Sequence, residues 1–434
     1  MKLRDKLCIG MSLAPTWLSN EGWRAPHSGI EGLYSADFAL EIAQQAEAAN
    51  LDFVFRPDTT ALPVPVLEQS FGFSSLDSTL MMAALVRETR RIGLVTTMST
   101  TFAPPFTIAR QMMSLHWMSR GRAGLNVVTG LQGNENFGLE EMPSSPARYA
   151  RATECLDVVQ KLWNSFPASA LKQDRASGQY ADTAQIAPID HHGAHFDVAG
   201  PLMIPAFPGP RVPLMQAGAS VGGVALAGRS ADMVFGQTLD MASALKARER
   251  LSDAALAAGR CPEAVRLLPG LSLYLADTRE EARAMFVANH LRVTDAQRIA
   301  RVKESLGLDL TDWPEDRRIH PEDLPQNYTA PRGPAHGDLL RGVITAQTPR
   351  VADFLQAPEV LASVHWQVIG TVDDAFDTIA AWFEAGAIDG FVALPGGSRH
   401  AVDLTLNHLV PRLAAAGLFR SRYSGDTLLH HLEE

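Results

Sequence analysis

Short, uninterrupted apolar runs alternate along this chain with longer stretches in which apolar residues recur every three or four positions. The runs cover residues 7–13, 51–58, 92–99, 123–129, 212–218, 231–237, 267–276 and 390–394. Their continuity predicts strands buried on both faces, and hence a parallel sheet covered by helices. Ser35 caps a first helix with Phe38, Ile42, Ala46 and Ala49 on its inner stripe, and a second spans 76–88. Pro104 and Pro105 end the third strand and admit a helix over 106–117. A fourth helix starts near Pro146 to Arg148 and turns Ala152, Cys155, Leu156, Val159, Leu162 and Trp163 inward. Glu154, Asp157 and Lys161 lie off that stripe and read as solvated surface. Further helices follow Ser220, cover 240–258 and close the chain over 402–416.

Strands that alternate with helices in this way, with no internal repeat and no linker, predict an α/β fold: one (β/α)8 TIM barrel over residues 1–434. A doubly wound open sheet is the structural alternative, since both obey the same crossover rule. Two stretches break the rhythm. Residues 164–213 are proline-rich and carry DHHGAHFDVAGPL, which suggests a long ordered insertion with a short hairpin; residues 306–349, rich in Pro, Asp, Arg and Gly, form a second insertion within the seventh crossover. Loops of that length over a barrel mouth are commonly functional.

Composition narrows the function. The formal charge is −10, and no basic cluster interrupts it, so nucleic acid is not expected as a partner. The start, MKLRDKLCIGMSL, lacks the features of a secretory leader and no stretch has spanning length, so a cytoplasmic protein without a membrane partner is expected. Cys8, Cys155 and Cys261 are scattered and odd in number, which excludes a disulfide framework and a thiolate metal site; they read as small core residues.

Polar groups gather at four strand ends: Asp58, Ser99 to Thr101, Asn126 with Thr129, and Ser220. These ends share the C-terminal face, where barrels build sites, although Ser, Thr and Asn also cap helices. Gly218-Ala219-Ser220-Val221-Gly222-Gly223 is the sharpest signal, because small residues let a phosphate reach the free amides of a helix start. Tyr149, beside Arg148 at the start of the fourth helix, could reach the same anion. The segment also fits G-x-S-x-G, the nucleophile elbow of serine hydrolases, with Asp240 and His365 or His400 downstream as acid and base. His191, His192 and His195 have metal-like spacing, but Pro188 and Gly193 oppose a helix there, and no metal is expected.

FVFRPD, LVTTMSTTFAPPFTIARQ, SRGRAGLNVVTG with NFG, ARYARATECLDVVQKLW, DHHGAHFDVAGPL, PLMQAGAS, GAIDGFVALPG and LFRSRYSGDTLLHHL occur in that order. With them, nearly the whole chain resembles the bacterial-luciferase-like flavin monooxygenases, in the branch of nitrilotriacetate, EDTA, dibenzothiophene-sulfone and long-chain alkane monooxygenases. The resemblance implies a (β/α)8 barrel that uses FMN, reduced by a separate NAD(P)H-dependent flavin reductase, and dioxygen to oxygenate a small organic substrate. It implies flavin contacts at Asp58, Thr101, Tyr149 and Ser220, with a homo-oligomeric state, and it designates no catalytic side chain. Two positions depart from the family pattern: Ser145 stands where His is common, and Gly130 where Ser is common. A serine hydrolase, a deazaflavin-dependent enzyme and a non-catalytic flavin binder are the alternatives. An anionic substrate would need local positive charge in so acidic a protein. Arg24, Lys172, Arg175, Arg211, Arg332 and Arg341 are the basic loop residues, with one or two of Arg24, Arg175 and Arg332 expected to face the pocket.

Overall fold

The structure, a computed structural model, describes residues 4–434 other than 219, 327, 329, 331–334 and 362–364. Its central sheet has nine parallel strands: β1 (Cys8–Ser12), β2 (Phe53–Phe55), β3 (Gly93–Ser99), β4 (Ala123–Val128), β9 (Leu214–Ala217), β10 (Met233–Gly236), β11 (Arg266–Leu275), β12 (Trp366–Gly370) and β13 (Gly390–Pro395). Between β4 and β9 lie two antiparallel hairpins, β5 (Leu171–Asp174) with β6 (Gln179–Ala181) and β7 (His191–His192) with β8 (Asp197–Val198). Eight of the nine sheet strands close on themselves in the order β1-β2-β3-β4-β9-β10-β11-β13, confirming the barrel and ruling out the open sheet.

The ninth, β12, was not anticipated. β11 pairs with β10 only through Pro269, and from Leu271 onward its free edge takes β12 instead. β12 thus lies outside the ring, and its five residues alternate buried and half-buried, a weaker pattern than the barrel strands present. At the closing seam, Gly390 opposes Cys8 so closely that a Cβ there would strike the Cys8 carbonyl.

The helices are α1 (Ala36–Ala48), α2 (Ser78–Leu85), α3 (Pro105–Met118), α4 (Ser145–Asn164), α5 (Val221–Ser230), α6 (Met241–Ala257), α7 (Arg279–Asn289) and α8 (Asp295–Leu306), followed by α9 (Ala335–Gln347), α10 (Val351–Leu355), α11 (Pro358–Leu361) and α12 (Val372–Glu384). The expected closing helix is α13 (Arg399–Asp403) and α14 (Val410–Ala415), joined through a π-helical turn, and α15 (Leu428–Glu433) ends the chain. Ser35 caps α1 as expected, its side chain accepting the Asp37 amide. The second insertion is wider than 306–349. From α8 to α11 it forms a helical layer with its own core, in which Val302, Leu306, Ile319, Leu340, Ile344 and Phe354 pack together.

The barrel interior is filled from below. Cys8, Phe53, Phe55, Val95, Met215, Met233, Leu268, Val392 and Leu394 point inward, and α15 drives Leu428 and Leu432 up among them. Gly93 and Gly124 are glycine because a Cβ at either would meet Leu428. Two buried ion pairs lock this end, Arg420 with Asp52 and Arg248 with Asp389. Asp52 also accepts the Ile9 amide, while Arg420 donates to the His431 carbonyl. Cys8 and Cys155 are buried as expected, but Cys261 is exposed, because it lies in the turn between α6 and β11.

Two stability predictions follow from this base. Replacing Arg420 with Met leaves the Asp52 carboxylate buried without its counter-charge, and urea unfolding should show a loss of about 3–5 kcal/mol. Burial first, and then the nearby Arg420, hold the His431 imidazole down at about 4, and burial does the same to His365. Unfolded imidazoles titrate near ~6.5, so across that window the unfolded chain binds more protons. Stability is therefore complete above about 6.5 and is lost as the pH falls toward about 4. The thermal midpoint should drop over that interval, and less steeply in a His431→Gln variant.

Candidate functional site

The two sharpest sequence signals meet in space. Ser220 is the N-cap of α5, its hydroxyl oxygen accepting the Gly223 amide at 3.2 Å, so its own proton is left to donate elsewhere. Tyr149, at the start of the second turn of α4, lays its ring against the start of α5: a Cβ at Gly222 would come within 2.6 Å of that ring. A Cβ at Gly223 would lie 2.9 Å from the Tyr149 hydroxyl, and one at Gly218 would lie 3.3 Å from it. The glycines thus admit the phenol to a helix N-terminus whose first amides have no intrahelical partner. Gln216, which sequence reasoning passed over, completes the cradle. Its amide nitrogen donates to the Ala217 carbonyl at 2.8 Å, and its buried Oε1 has no partner. A single amide on a mostly apolar strand gives no warning of this in the sequence.

Asp58 and Thr101 sit at neighbouring strand ends but are already engaged. Asp58 accepts the Thr59 amide at 2.8 Å and the Ser78 amide at 3.4 Å. Thr101 is buried and donates its hydroxyl to the Thr129 carbonyl, tying the end of β3 to the end of β4. Neither touches the cradle through any described hydrogen bond. The loops after β2, β3 and β4 interlock above them: Thr60 donates to the Gln132 carbonyl, Asn136 donates to the Thr60 carbonyl, and Phe102 stacks on Phe137 at 4.2 Å.

Inside the barrel mouth the wall becomes polar. Thr97 donates to the Arg56 carbonyl at 2.7 Å and accepts Asn126 Nδ2 at 3.0 Å, which leaves Asn126 Oδ1 buried and unpartnered. Ser99 Oγ is in the same condition. So is Nδ1 of His365, whose ring fills the space over Gly270 and packs on Phe235 where β10 ends. Three orphaned polar atoms in one mouth are unusual for a folded interior and fit a ligand that supplies their partners. Gly130, a departure from the family pattern, has φ +61° and sits against the Phe102 ring, so glycine suits the backbone there. Ser145 is exposed on the first turn of α4.

The hydrolase constellation does not assemble. Among the described residues Ser220 bonds to no histidine and His365 Nδ1 has no partner, while Asp240 caps α6 through Ser243 and His400 pairs with Asp277. The histidines of the first insertion are bound within it or to α4. His192 pairs with Asp197, and His191 Nε2 lies 3.0 Å from Glu154. Glu154 corrects the surface reading, since it also accepts the amides of His195 and Phe196. Although desolvation opposes it, those hydrogen bonds hold its carboxyl below the usual range. Gly193 is needed because a Cβ would lie 2.1 Å from Glu154 Oε1. Asp157 likewise binds Arg229 of α5 at 2.7 Å.

The basic loop residues fare differently from expectation. Arg211 precedes β9 and binds Asp232 at 2.6 Å, at the foot of the barrel rather than its mouth. Arg175 and Lys172 are exposed on the first hairpin, Arg24 is paired with Glu21 at 2.7 Å, Arg341 lies half-buried on α9, and Arg332 falls outside the described residues. None of the five described has a contact with the cradle or the mouth.

A glycine-lined helix start beside an orphaned polar mouth, on the C-terminal face of a parallel barrel, defines a cofactor-using barrel enzyme. Residues 16–388 match the luciferase-like monooxygenases, and the chain belongs to that family. It is 32% identical over 424 residues to nitrilotriacetate monooxygenase component A of Aminobacter aminovorans, covering 95% of this chain and 92% of that one. Among solved structures, the EDTA monooxygenase of Chelativorans sp. BNC1 superposes with a TM-score of 0.81 at 26% identity, over 99% of this chain and 98% of that one. A riboflavin lyase solved with modified FMN and riboflavin gives 0.82 at 27% identity, over 98% and 95%.

Glu154 makes the first insertion's docking testable. Glu154→Ala should leave the barrel folded, with an unchanged main unfolding transition, yet limited proteolysis within residues 164–213 should become several-fold faster. Equal cleavage rates would mean that the hairpin is held by other contacts.

Proposed function

We propose that this protein is the oxygenase component of a two-component system that takes reduced FMN from a separate NAD(P)H-dependent reductase and uses dioxygen to oxygenate a small organic molecule. The observation that carries the reading is the convergence of the Tyr149 hydroxyl, the Ser220 hydroxyl and the open amides of α5 around Gly218, Gly222 and Gly223. In family members this constellation would hold the flavin phosphate, whose charge suits a helix N-terminus. The relative named component A supports a divided system.

Asp58 and Thr101 would border the ring system at the ends of β2 and β3, and Ser99, Asn126 and His365 offer it unspent polar atoms. The bound flavin supplies the redox chemistry with oxygen. The protein's part is to orient it, keep water from it, and place the substrate. His365 suits such a site, because burial keeps its imidazole neutral at working pH. Residues 1–434 act as one barrel unit in this reading, with the two insertions forming lids.

Anaerobic titration with reduced FMN tests the proposal. Saturable binding at micromolar protein is expected, with oxygen consumption coupled to product only when a reductase is present. Ser220→Ala and Tyr149→Phe should each weaken reduced-flavin binding by about 1.5–3 kcal/mol, the range for hydrogen bonds to a charged group. Full affinity in both variants would displace the phosphate from this cradle. Labelling of Ser220 by a fluorophosphonate would favour the hydrolase instead.

A further inference from the structure

A second concavity, of about 580 Å³, opens on the opposite side of the barrel rim from the cradle. It lies between the loop after β1 (Asn20, Glu21), the loop after β2 (Val66 to Ser70) and the segment from the end of α7 into α8. In the closed ring β1 stands four strands from β9 in either direction, so cradle and concavity lie on opposite sides of the barrel. The volume suits a small organic molecule.

Its charges are unevenly satisfied. Glu21 is held by Arg24 at 2.7 Å and by Arg292 at 3.4 Å, so that carboxylate is already compensated. Glu68 lies exposed at the outer edge. Arg301, on α8, is half-buried; its described hydrogen bond is one from Nη1 to the Leu361 carbonyl at 3.1 Å, and it has no carboxylate partner among the described residues. Its neighbour Arg298 is committed to Asp295 at 2.8 Å. Burial, and then Arg298, disfavour the charge on Arg301, with Glu304 partly offsetting them. A cation in that position gains from an incoming anion. The second observation is Asn289, only 3% exposed, which lines the same cavity. Its Nδ2 donates to the Tyr274 hydroxyl at 3.1 Å, but its Oδ1 is buried without a partner and lacks a donor.

We propose that this concavity binds an organic acid, Arg301 and Arg292 receiving its carboxylates beside the buried amide of Asn289. That the acid is the substrate rests on the oxygenase reading above; that it binds does not. The acidic chain otherwise repels anions, and an arginine with no ion pair among the described residues provides the local attraction they need.

Calorimetric titration of the flavin-free full chain with citrate and nitrilotriacetate, and with dibenzothiophene sulfone as a neutral probe, tests this. At least one carboxylate probe should bind saturably, more weakly as salt is raised, and the neutral probe should not. Arg301→Gln should weaken carboxylate binding by about tenfold or more, Arg301→Lys by less, and neither should alter reduced-FMN affinity measured in parallel. Should Arg301→Gln fold poorly, the exposed Arg292→Gln variant should still reduce binding. No carboxylate binding by the wild type, or equal binding by Arg301→Gln and Arg292→Gln, overturns the proposal. Carboxylate binding that persists while reduced FMN fails to bind would support this site and sink the oxygenase reading alone.

Discussion

Closing a parallel sheet into a ring creates an interior that has to be filled, and everything distinctive here depends on its being filled from one end. α15 inserts Leu428 and Leu432 into the lower barrel, which requires glycine at positions 93 and 124. The chain's end is therefore part of the core rather than an appendage, and the buried Arg420–Asp52 pair holds it there. With the base dense and apolar, the polar residues of β3 and β4 and the imidazole of His365 fall in the upper layer. Asn126 and Ser99 are left with atoms that have no partner among the described residues. Desolvation of such atoms is costly, so the mouth favours a polar occupant.

The cradle follows a different logic, in which missing side chains do the shaping. Tyr149 comes from α4 and the amides from α5, and the two helices approach closely because Gly222 and Gly223 put no Cβ between them. The hydroxyl reaches the start of α5 only through that approach. Arg229 on α5 and Asp157 on α4 pair a few turns farther along, which fixes the relative rotation of the same two helices. A surface ion pair contributes little to stability, yet here it helps set the geometry that Tyr149 needs.

The barrel was legible because its eight strands are continuous apolar runs and its helices carry clear caps and stripes. β12 was not: it is short, half its residues are only partly buried, and it pairs with the upper half of a strand whose lower half already serves the ring. Of the site, Ser220 and Tyr149 could be read because glycine spacing and helix starts have physical meanings local to the chain. Gln216 could not, and His365 stood out only as a base for a hydrolase. Each matters through neighbours distant in sequence, Gln216 through Tyr149 and Gly223, His365 through Gly270 and Phe235. Glu154 was misread for the same reason, since periodicity places a side chain off the core stripe but is silent about a loop returning to cover it.

That last case shows where variation among such barrels can reside. The first insertion has little core of its own and borrows the barrel's: Glu154 gathers an imidazole and two amides, Arg151 lies over the Phe196 ring, and Ile189, Phe196 and Val198 pack on the main core. The second carries a separate hydrophobic cluster and so holds its shape without the barrel's help. A segment that borrows its neighbour's core moves only by giving up those contacts, whereas a self-supporting layer moves as a body or not at all. Arg301 belongs to the rigid layer. A charge meant to select a ligand has to be held still while the ligand is chosen, and the layer that keeps its own core is the part of the mouth able to do that.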